Sequence, residues 1–276
     1  MQKKKILVVI PTYNCEKQIG RVINKISSFD LNCIDEINII DNLSTDKTIA
    51  SALTNINDLQ INKIKIYKTV ENNNLGGTHK IAFNKAIAQG YDYIAIFHGD
   101  DQADFSNLVN ICKIISNSYE DMSFLRSRFS RKSKLIGYSK RRIFGNIGLN
   151  IIYSIKNFKI LTDLGSGLNV FHVDSLKRIN YHNFSDSLSF NHELLLRLIS
   201  SKSKFVYYSI NWSETDQNSN LNNMIVHGFN AIKILFISNK NKTNSEVSRK
   251  VYKIVEIKEK IYITYSLALT SLLNLS

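Results

Sequence analysis

LVVIPTYN at residues 7–14 joins an apolar run of strand length to a polar cluster, and the same construction returns three times downstream. IIDNLSTD occupies residues 39–46, NLGG 74–77 and AIFHGDDQ 95–102. An open α/β sheet gathers its ligand site at the carboxyl ends of its strands. One acidic cluster after a strand is common, but several at successive strand ends point to a shared pocket.

Between these clusters the apolar spacing switches between strand and helix periods. Residues 6–10 read as a buried strand, and Ile19, Val22, Ile23 and Ile26 then share one helical face. Residues 37–40 form the next strand. Ser44 or Thr45 is placed to cap a helix carrying Ile49, Ala52, Leu53 and Ile56. A third strand is predicted at 63–70, a helix at 76–89 ending at Gly90, and a fourth strand at 93–97. Phe105, Leu108, Val109, Cys112 and Ile115 mark the following helix, and 123–125 a short fifth strand. This βαβαβαβ order predicts an α/β fold, Rossmann-like in its first half, with a mainly parallel sheet flanked by helices. No GxGxxG follows the first strand. Pro11, Thr12, Tyr13 and Asn14 stand where a dinucleotide fold needs its close phosphate turn, which disfavours an NAD enzyme.

RSRFSRKSKLIGYSKRR at 126–142 carries eight basic residues and no acidic one, and reads as a mobile phosphate-facing loop or a solvated linker. A helix near an apolar surface is predicted at 145–160. TDLGSG at 162–167 is a polar turn before the mostly apolar run 168–173; residues 191–200 read as helix and 205–210 as strand. From about residue 213 the α/β rhythm stops. Helical spacing runs through 221–237, and 251–273 is a second helix candidate with aromatics and lysines mixed in. This tail has three roles open to it: packing on the main domain, homodimerisation, or contact with a membrane surface.

The chain has 276 residues, 43% of them hydrophobic, enough for one large domain or a domain with an appendage. One proline and eleven glycines argue against a flexible linker architecture. Lys and Arg outnumber Asp and Glu 36 to 23, a net charge of +13. That balance suits an anionic partner (membrane surface, phosphorylated substrate or nucleic acid) or a lysine-rich solvated surface. No RNP, helix-turn-helix or zinc pattern is present, so no nucleic-acid partner is expected. Cys15, Cys33 and Cys112 lack CxxC spacing, against a disulfide framework or zinc site. The first apolar run reads as a strand and not a signal peptide, and 261–273 is too short to span a bilayer. The expectation is a cytoplasmic protein, soluble or peripheral on the inner face of the membrane.

Asp41, at a strand end, can accept hydrogen bonds from a base or ribose, whereas Asp46 suits a turn or helix cap. HGDDQ offers His98, Asp100 and Asp101 beside the fourth strand. A hard divalent ion takes oxygen ligands and can bridge a diphosphate. An imidazole in the set suits Mn²⁺ somewhat better than Mg²⁺, while His98 reads equally well as a hydrogen-bonded structural histidine. The other five histidines show no metal spacing, and no GxSxG supports an esterase.

Taken together, these segments resemble inverting glycosyltransferase family 2, of the GT-A fold, and within it the dolichyl-phosphate-mannose-synthase-like and polyprenyl-phosphate sugar transferase group. VVIPTYNCEKQIGRVI (8–23) looks like the family's opening, and IIDNLSTDKT (39–48) like its DDGSTD turn with Asn42 for the second Asp and Leu43 for Gly. Residues 73–102 resemble the segment leading to the DxD motif, with His98 at the first Asp and Asp100 at the second. RSRF (126–129) resembles GSRF with Arg126 for Gly. RRIFGNIGLN (141–150), TDLGSGLNVF (162–171) and SFNHELLLRL (189–198) follow the later motifs. WSETDQNSN (212–220) resembles the terminal loop without its usual Arg, which leaves open what steadies the diphosphate.

The resemblance covers roughly residues 4–220. It implies a GT-A domain at 1–215 followed by a helical extension at 216–276. It further implies metal-dependent inverting transfer from a nucleotide-diphosphate sugar, UDP- or GDP-linked, to a polyprenyl phosphate or cell-envelope glycan. Pro11, Tyr13, Glu16, Asp41, Lys80 and Gln102 would bind the nucleotide sugar, and Asp100 with His98 would hold Mg²⁺ or Mn²⁺. Arg128 would receive a phosphate, and Asp163, Ser166, Gly167, Arg141 and Arg142 would lie on the acceptor side. Glu193 is the candidate general base, against a structural or acceptor-positioning role. The rival readings are a GT-A nucleotide-binding protein without catalysis, a nucleotidyltransferase and a nucleic-acid binder.

Overall fold

A computed structural model describes residues 3–165, 167–214, 221–237 and 252–257. The first half alternates as expected: β1 (Ile6–Thr12), α1 (Glu16–Ser27), β2 (Glu36–Asp41), α2 (Thr48–Leu59), β3 (Ile64–Thr69), α3 (Asn74–Ala88), β4 (Tyr93–Phe97), α4 (Phe105–Ser116) and β5 (Ser123–Ser127). Then come β6 (Leu135–Ile136), α5 (Lys140–Asn157), β7 (Leu168–His172), α6 (Val173–Lys177) and α7 (Phe190–Ser200). β8 (Phe205–Ser209), β9 (Trp212–Ser213), α8 (Leu221–Ile237) and β10 (Ile254–Ile257) follow.

Among the described residues, eight strands form one sheet in the order β10-β3-β2-β1-β4-β7-β5-β8, while β6 and β9 form a separate two-stranded pair. β1 pairs in parallel with both β2 and β4, and β2 with β3. Residues Ile6–Ile10 are wholly buried on both faces, which is why a central parallel strand reads as a continuous apolar run. Ile6, Val8 and Ile10 point into a core shared with α1, α2 and α4. Leu7 and Val9 point into the opposite core, with α3, α6, α7 and α8. Burying each such side chain contributes roughly 1.5–3 kcal/mol before chain entropy is subtracted.

β7 runs antiparallel between β4 and β5. This inversion brings the TDLGSG turn to the carboxyl end of β4, where the His98 N–H donates to the Gly167 carbonyl at 2.8 Å. Two strands of unlike direction thus meet at one edge, with a polar cluster on each.

Four expectations need correction. The basic segment 126–142 is not one loop: Arg126 and Ser127 complete β5 and are buried, and Leu135–Ile136 pairs with Trp212–Ser213. Neither Ser44 nor Thr45 caps α2: Lys47 holds the N-cap position without a side-chain cap bond, and Asp46 just before it accepts the Thr48 N–H at 3.0 Å. α5 begins at Lys140, before the expected 145. Of the second tail helix expected at 251–273, the described part is strand at Ile254–Ile257, which joins the sheet edge antiparallel to β3; 251 and 258–273 lie outside the described residues. IVEI is too short for its period to separate strand from helix, and the available partner edge decides between the readings.

Candidate functional site

The carboxyl ends of β1, β2 and β4 open onto a cleft of about 560 Å³ whose walls include Pro11, Tyr13, Asn42, His98, Asp100 and Leu188. Tyr13 stands half exposed at its lip. β1 and β4 approach closely here, and a Cβ on Gly99 would fall 2.6 Å from Thr12 Cγ2. Glycine at 99 therefore lets the HGDDQ turn close onto the first strand.

Asp41 ends β2 fully buried, its carboxylate accepting the Ser44 N–H at 3.0 Å and the Ser44 hydroxyl. Burial raises its pKa above the usual carboxylate value, against those hydrogen bonds. It lies behind the cleft wall, and Asn42 forms the wall itself. Asn42 donates to Asn72 Oδ1 at 2.9 Å and accepts the Asn73 N–H at 2.8 Å, tying β2 to the start of α3. Leu43, where the family motif has glycine, keeps a left-handed backbone at φ 63°.

At the end of β4, Asp100 borders the cleft, and His98 Nδ1 lies 3.9 Å from its Oδ2. Burial lowers the His98 pKa, Asp100 opposes this and Arg126 reinforces it, so the imidazole is neutral at pH 7. Its Nε2 is buried with no hydrogen-bond partner among the described residues. Gly167 fits flat against that ring, and a Cβ there would meet His98 Cγ at 3.0 Å. Asp101 turns the other way and pairs with Arg21 at 2.9 Å and Lys25 at 2.6 Å, anchoring the turn to α1. Gln102 closes it through its backbone, donating to Asp100 Oδ1 at 3.2 Å and accepting from Ser213.

Behind the HGDDQ turn sits a buried charge cluster from β5 and the TDLGSG turn. Arg128 grips Asp163 with Nε at 2.8 Å and Nη2 at 2.9 Å, and reaches the Tyr138 hydroxyl at 3.3 Å. Burial works against the charged Asp163, but Arg128 outweighs it and holds the carboxyl below its usual range. Arg126 also lies beside Asp163, with Nε 3.8 Å away. Its guanidinium carbon stacks 4.1 Å over the Trp212 ring. The side chain is fully buried, and none of its three nitrogens has a hydrogen-bond partner among the described residues. Burial, then repulsion from Arg128, pushes Arg126 well below the usual guanidinium pKa.

The other expected site residues are dispersed. Lys80 is buried and its Nζ donates to the carbonyls of Phe184 and His182 and to Asp186 at 2.8 Å, away from the cleft walls. Glu16 accepts the Lys47 N–H at 3.2 Å on the surface. Glu193, in the first turn of α7, has both carboxylate oxygens 3.3 Å from the Ser185 N–H. Arg141 is exposed in the first turn of α5, while Arg142 pairs with Glu214 at 2.7 Å and stacks on Tyr138. Ser166 lies outside the described residues.

Sequence reasoning missed the Asn42–Asn72–Asn73 network and the Ser187–Ser189 wall. The run ENNN at 71–74 was a signal for the first. The second comes from a loop that carries no period. In the sequence Arg126 shows only as a substitution for glycine, and its burial against Trp212 follows from a contact 86 positions away.

The family model for glycosyl transferase family 2 matches residues 7–179. An uncharacterised protein of Methanocaldococcus jannaschii is 25% identical over 236 residues, covering 86% of this chain and 91% of the relative. A UDP-N-acetylglucosamine–dolichyl-phosphate N-acetylglucosaminyltransferase of Methanococcus voltae is 30% identical over 188 residues, 64% of this chain and 73% of the relative. Among solved structures, the Mycobacterium tuberculosis glucosyl-3-phosphoglycerate synthase in complex with Mn²⁺, UDP and glucosyl-3-phosphoglycerate superposes with a TM-score of 0.63 at 15% identity. The match covers 92% of this chain and 87% of that one. A mycobacterial protein superposes with a TM-score of 0.65 at 14% identity, over 92% and 84%. These structural likenesses carry the GT-A fold.

Proposed function

As a member of glycosyl transferase family 2, the chain is a glycosyltransferase, and we propose that it moves a sugar from a nucleotide-diphosphate sugar to a polyprenyl phosphate with inversion at the anomeric carbon. The observation that carries this reading is the placement of Asp100 in one cleft with Pro11 and Tyr13, at the carboxyl ends of adjacent strands. A nucleoside lying on Tyr13 would extend its diphosphate toward Asp100. UDP is the favoured nucleotide and a lipid phosphate the favoured acceptor, supported by the Methanococcus relative. A GDP-linked donor and a cell-envelope glycan acceptor are the other cases.

The donor set fits a divalent cation. Asp100 offers carboxylate oxygen, and His98 is a neutral imidazole beside it, as ligation requires. Mg²⁺ and Mn²⁺ are commonly bound by one or two protein ligands and complete their shells with phosphate oxygens and water. Asp100 with His98 would hold the ion, which when bound supplies charge neutralisation to the departing diphosphate.

The protein's own groups do the rest. The neutral His98 adds no negative charge to the diphosphate site. Arg126, buried without a hydrogen-bonded anion, places positive potential behind it. The acceptor oxygen attacks the anomeric carbon as the bond to the diphosphate oxygen breaks, and the nucleoside diphosphate leaves with the electron pair. A phosphate acceptor is already anionic and needs no base. For a hydroxyl acceptor, Glu193 is the proposed proton acceptor.

Incubation with UDP-sugars and a short polyprenyl phosphate tests the reading: release of UDP that requires the lipid phosphate supports it. The alternative, a nucleotide-binding protein without catalysis, is motivated by His98, Asn42 and Leu43 at motif positions. Nucleotide binding with no transfer to any acceptor would favour it.

A further inference from the structure

Two side-chain amides on the cleft wall fix each other's orientation. Asn42 is buried; its Oδ1 accepts the Asn73 N–H at 2.8 Å and its Nδ2 donates to Asn72 Oδ1 at 2.9 Å. The same Asn72 oxygen accepts the Asn74 N–H at 2.9 Å, where α3 begins. A backbone N–H can only donate, so the atom it meets on each side chain must be the carbonyl oxygen. Turning either amide over would set N–H against N–H. The backbone thereby settles an assignment that is otherwise ambiguous for asparagine.

With both lone pairs of its oxygen engaged, Asn72 has its NH₂ group left over, and that group has no partner among the described residues. Asn72 is exposed and lines the cleft together with Asn42 and Tyr13. The Asn42 N–H donates to the Thr12 carbonyl at 2.9 Å, which sets this network one residue from Tyr13. A planar ring lying on Tyr13 therefore meets, from Asn72, donors and no acceptor.

We propose that Asn72 determines which nucleobase the cleft accepts: its NH₂ group donates to a ring oxo oxygen, selecting uracil, thymine or guanine over cytosine or adenine. The first three carry an acceptor, O4 or O6, at the edge where the other two carry an amino group. An amino group there would face the Asn72 NH₂ donor to donor, and each would give up its bonds to water without replacement. The inference rests on the nucleotide-sugar reading above and narrows its donor. Position 42 sets the polarity of the wall. An aspartate at 42 would bring a carboxylate oxygen against Asn72 Oδ1 and turn the Asn72 amide over, so that an acceptor faced the cleft. Asn42 keeps the donor outward.

The test is calorimetric titration of UDP and of CDP into the full chain with Mn²⁺ present. The two nucleotides differ only in the oxo or amino group at C4 and the proton on N3. Wild type is expected to bind UDP about tenfold more tightly than CDP, or better. Asn72→Asp keeps the oxygen that Asn42 and Asn74 bond and replaces the NH₂ group with a second oxygen, so it should reverse the ratio and make CDP the tighter ligand. The added charge repels both diphosphates alike and cancels in that ratio. The side chain is exposed, so circular dichroism and melting should be unchanged. Asn42→Asp, acting through the turned amide, should move the ratio in the same direction. Wild type that binds UDP and CDP equally, or the wild-type ratio kept in both variants, overturns the role of Asn72 and leaves the nucleotide-sugar reading standing. Binding of neither nucleotide by wild type overturns both.

Discussion

The guanidinium of Arg126 lies 4.1 Å over the indole of Trp212, fully buried and without a hydrogen bond to any described residue. Trp212 opens the loop that resembles the family's terminal motif, from which the usual arginine is missing. Arg126 stands where that family has glycine. The chain therefore carries a cation on an adjacent strand end, held by the residue that begins the altered loop.

A buried cation without hydrogen-bonded anions costs stability, and a hydrophobic residue of similar volume relieves that cost. Arg126→Met is expected to stabilise the ligand-free protein by about 1–3 kcal/mol while weakening UDP binding several-fold. Thermal melting and calorimetry on the same preparation check both. A variant that is less stable and binds UDP normally would assign Arg126 to holding Asp163.

Asp163 is the shared counter-charge for two buried arginines, and Asp163→Asn leaves both uncompensated. The expected cost is about 3–5 kcal/mol, read by denaturant unfolding. The folded-state pKa of Asp163 lies below its ordinary value of 3.8. Between those two values the unfolded chain binds more protons, so stability falls as pH falls through that window. Asp163→Asn should flatten the stability profile below about pH 4 and leave its shape near neutrality unchanged.

Leu43 holds a backbone angle that costs a side chain about 1–2 kcal/mol, at φ 63° beside the buried Asp41. Leu43→Gly removes that strain but gives the unfolded chain more freedom, for a net gain of roughly 0.5–1 kcal/mol. A rise of a few degrees in Tm is the expected result. A fall would mean that the Leu43 side chain packs with greater effect than its exposure suggests.

Lys80 neutralises three acceptors of the 182–186 segment from inside the fold. Lys80→Met should cost about 2–4 kcal/mol by stranding them while leaving UDP affinity within about twofold. A large loss of UDP affinity in a well-folded variant would restore Lys80 to the nucleotide site.

The strand ends were legible because a central parallel strand leaves two marks, an unbroken apolar run and an abrupt polar stop. Residues 7–14, 39–46 and 95–102 each show both, and the structure brings all three to one cleft. The sheet edge was not legible in the same way. β10 is four residues long, and what makes it a strand is the free edge of β3. The fate of the basic segment was also hidden, because local composition cannot show that Arg126 and Arg128 face Asp163, which lies 35 or more positions away. Side-chain roles set by long-range partners, as with Lys80 and Asp101, were the part that motif spacing conveyed least.

The measurement that bears most directly on the proposed transfer is calorimetric titration of UDP, with GDP for comparison, into wild type and Asp100→Ala, each with and without Mn²⁺. The account predicts one nucleotide bound more tightly with Mn²⁺, and a loss of that enhancement in Asp100→Ala without loss of fold, since Asp100 sits at the cleft wall. Nucleotide binding that ignores Mn²⁺, or that Asp100→Ala leaves unchanged, would contradict the assignment of the metal and diphosphate to this cleft.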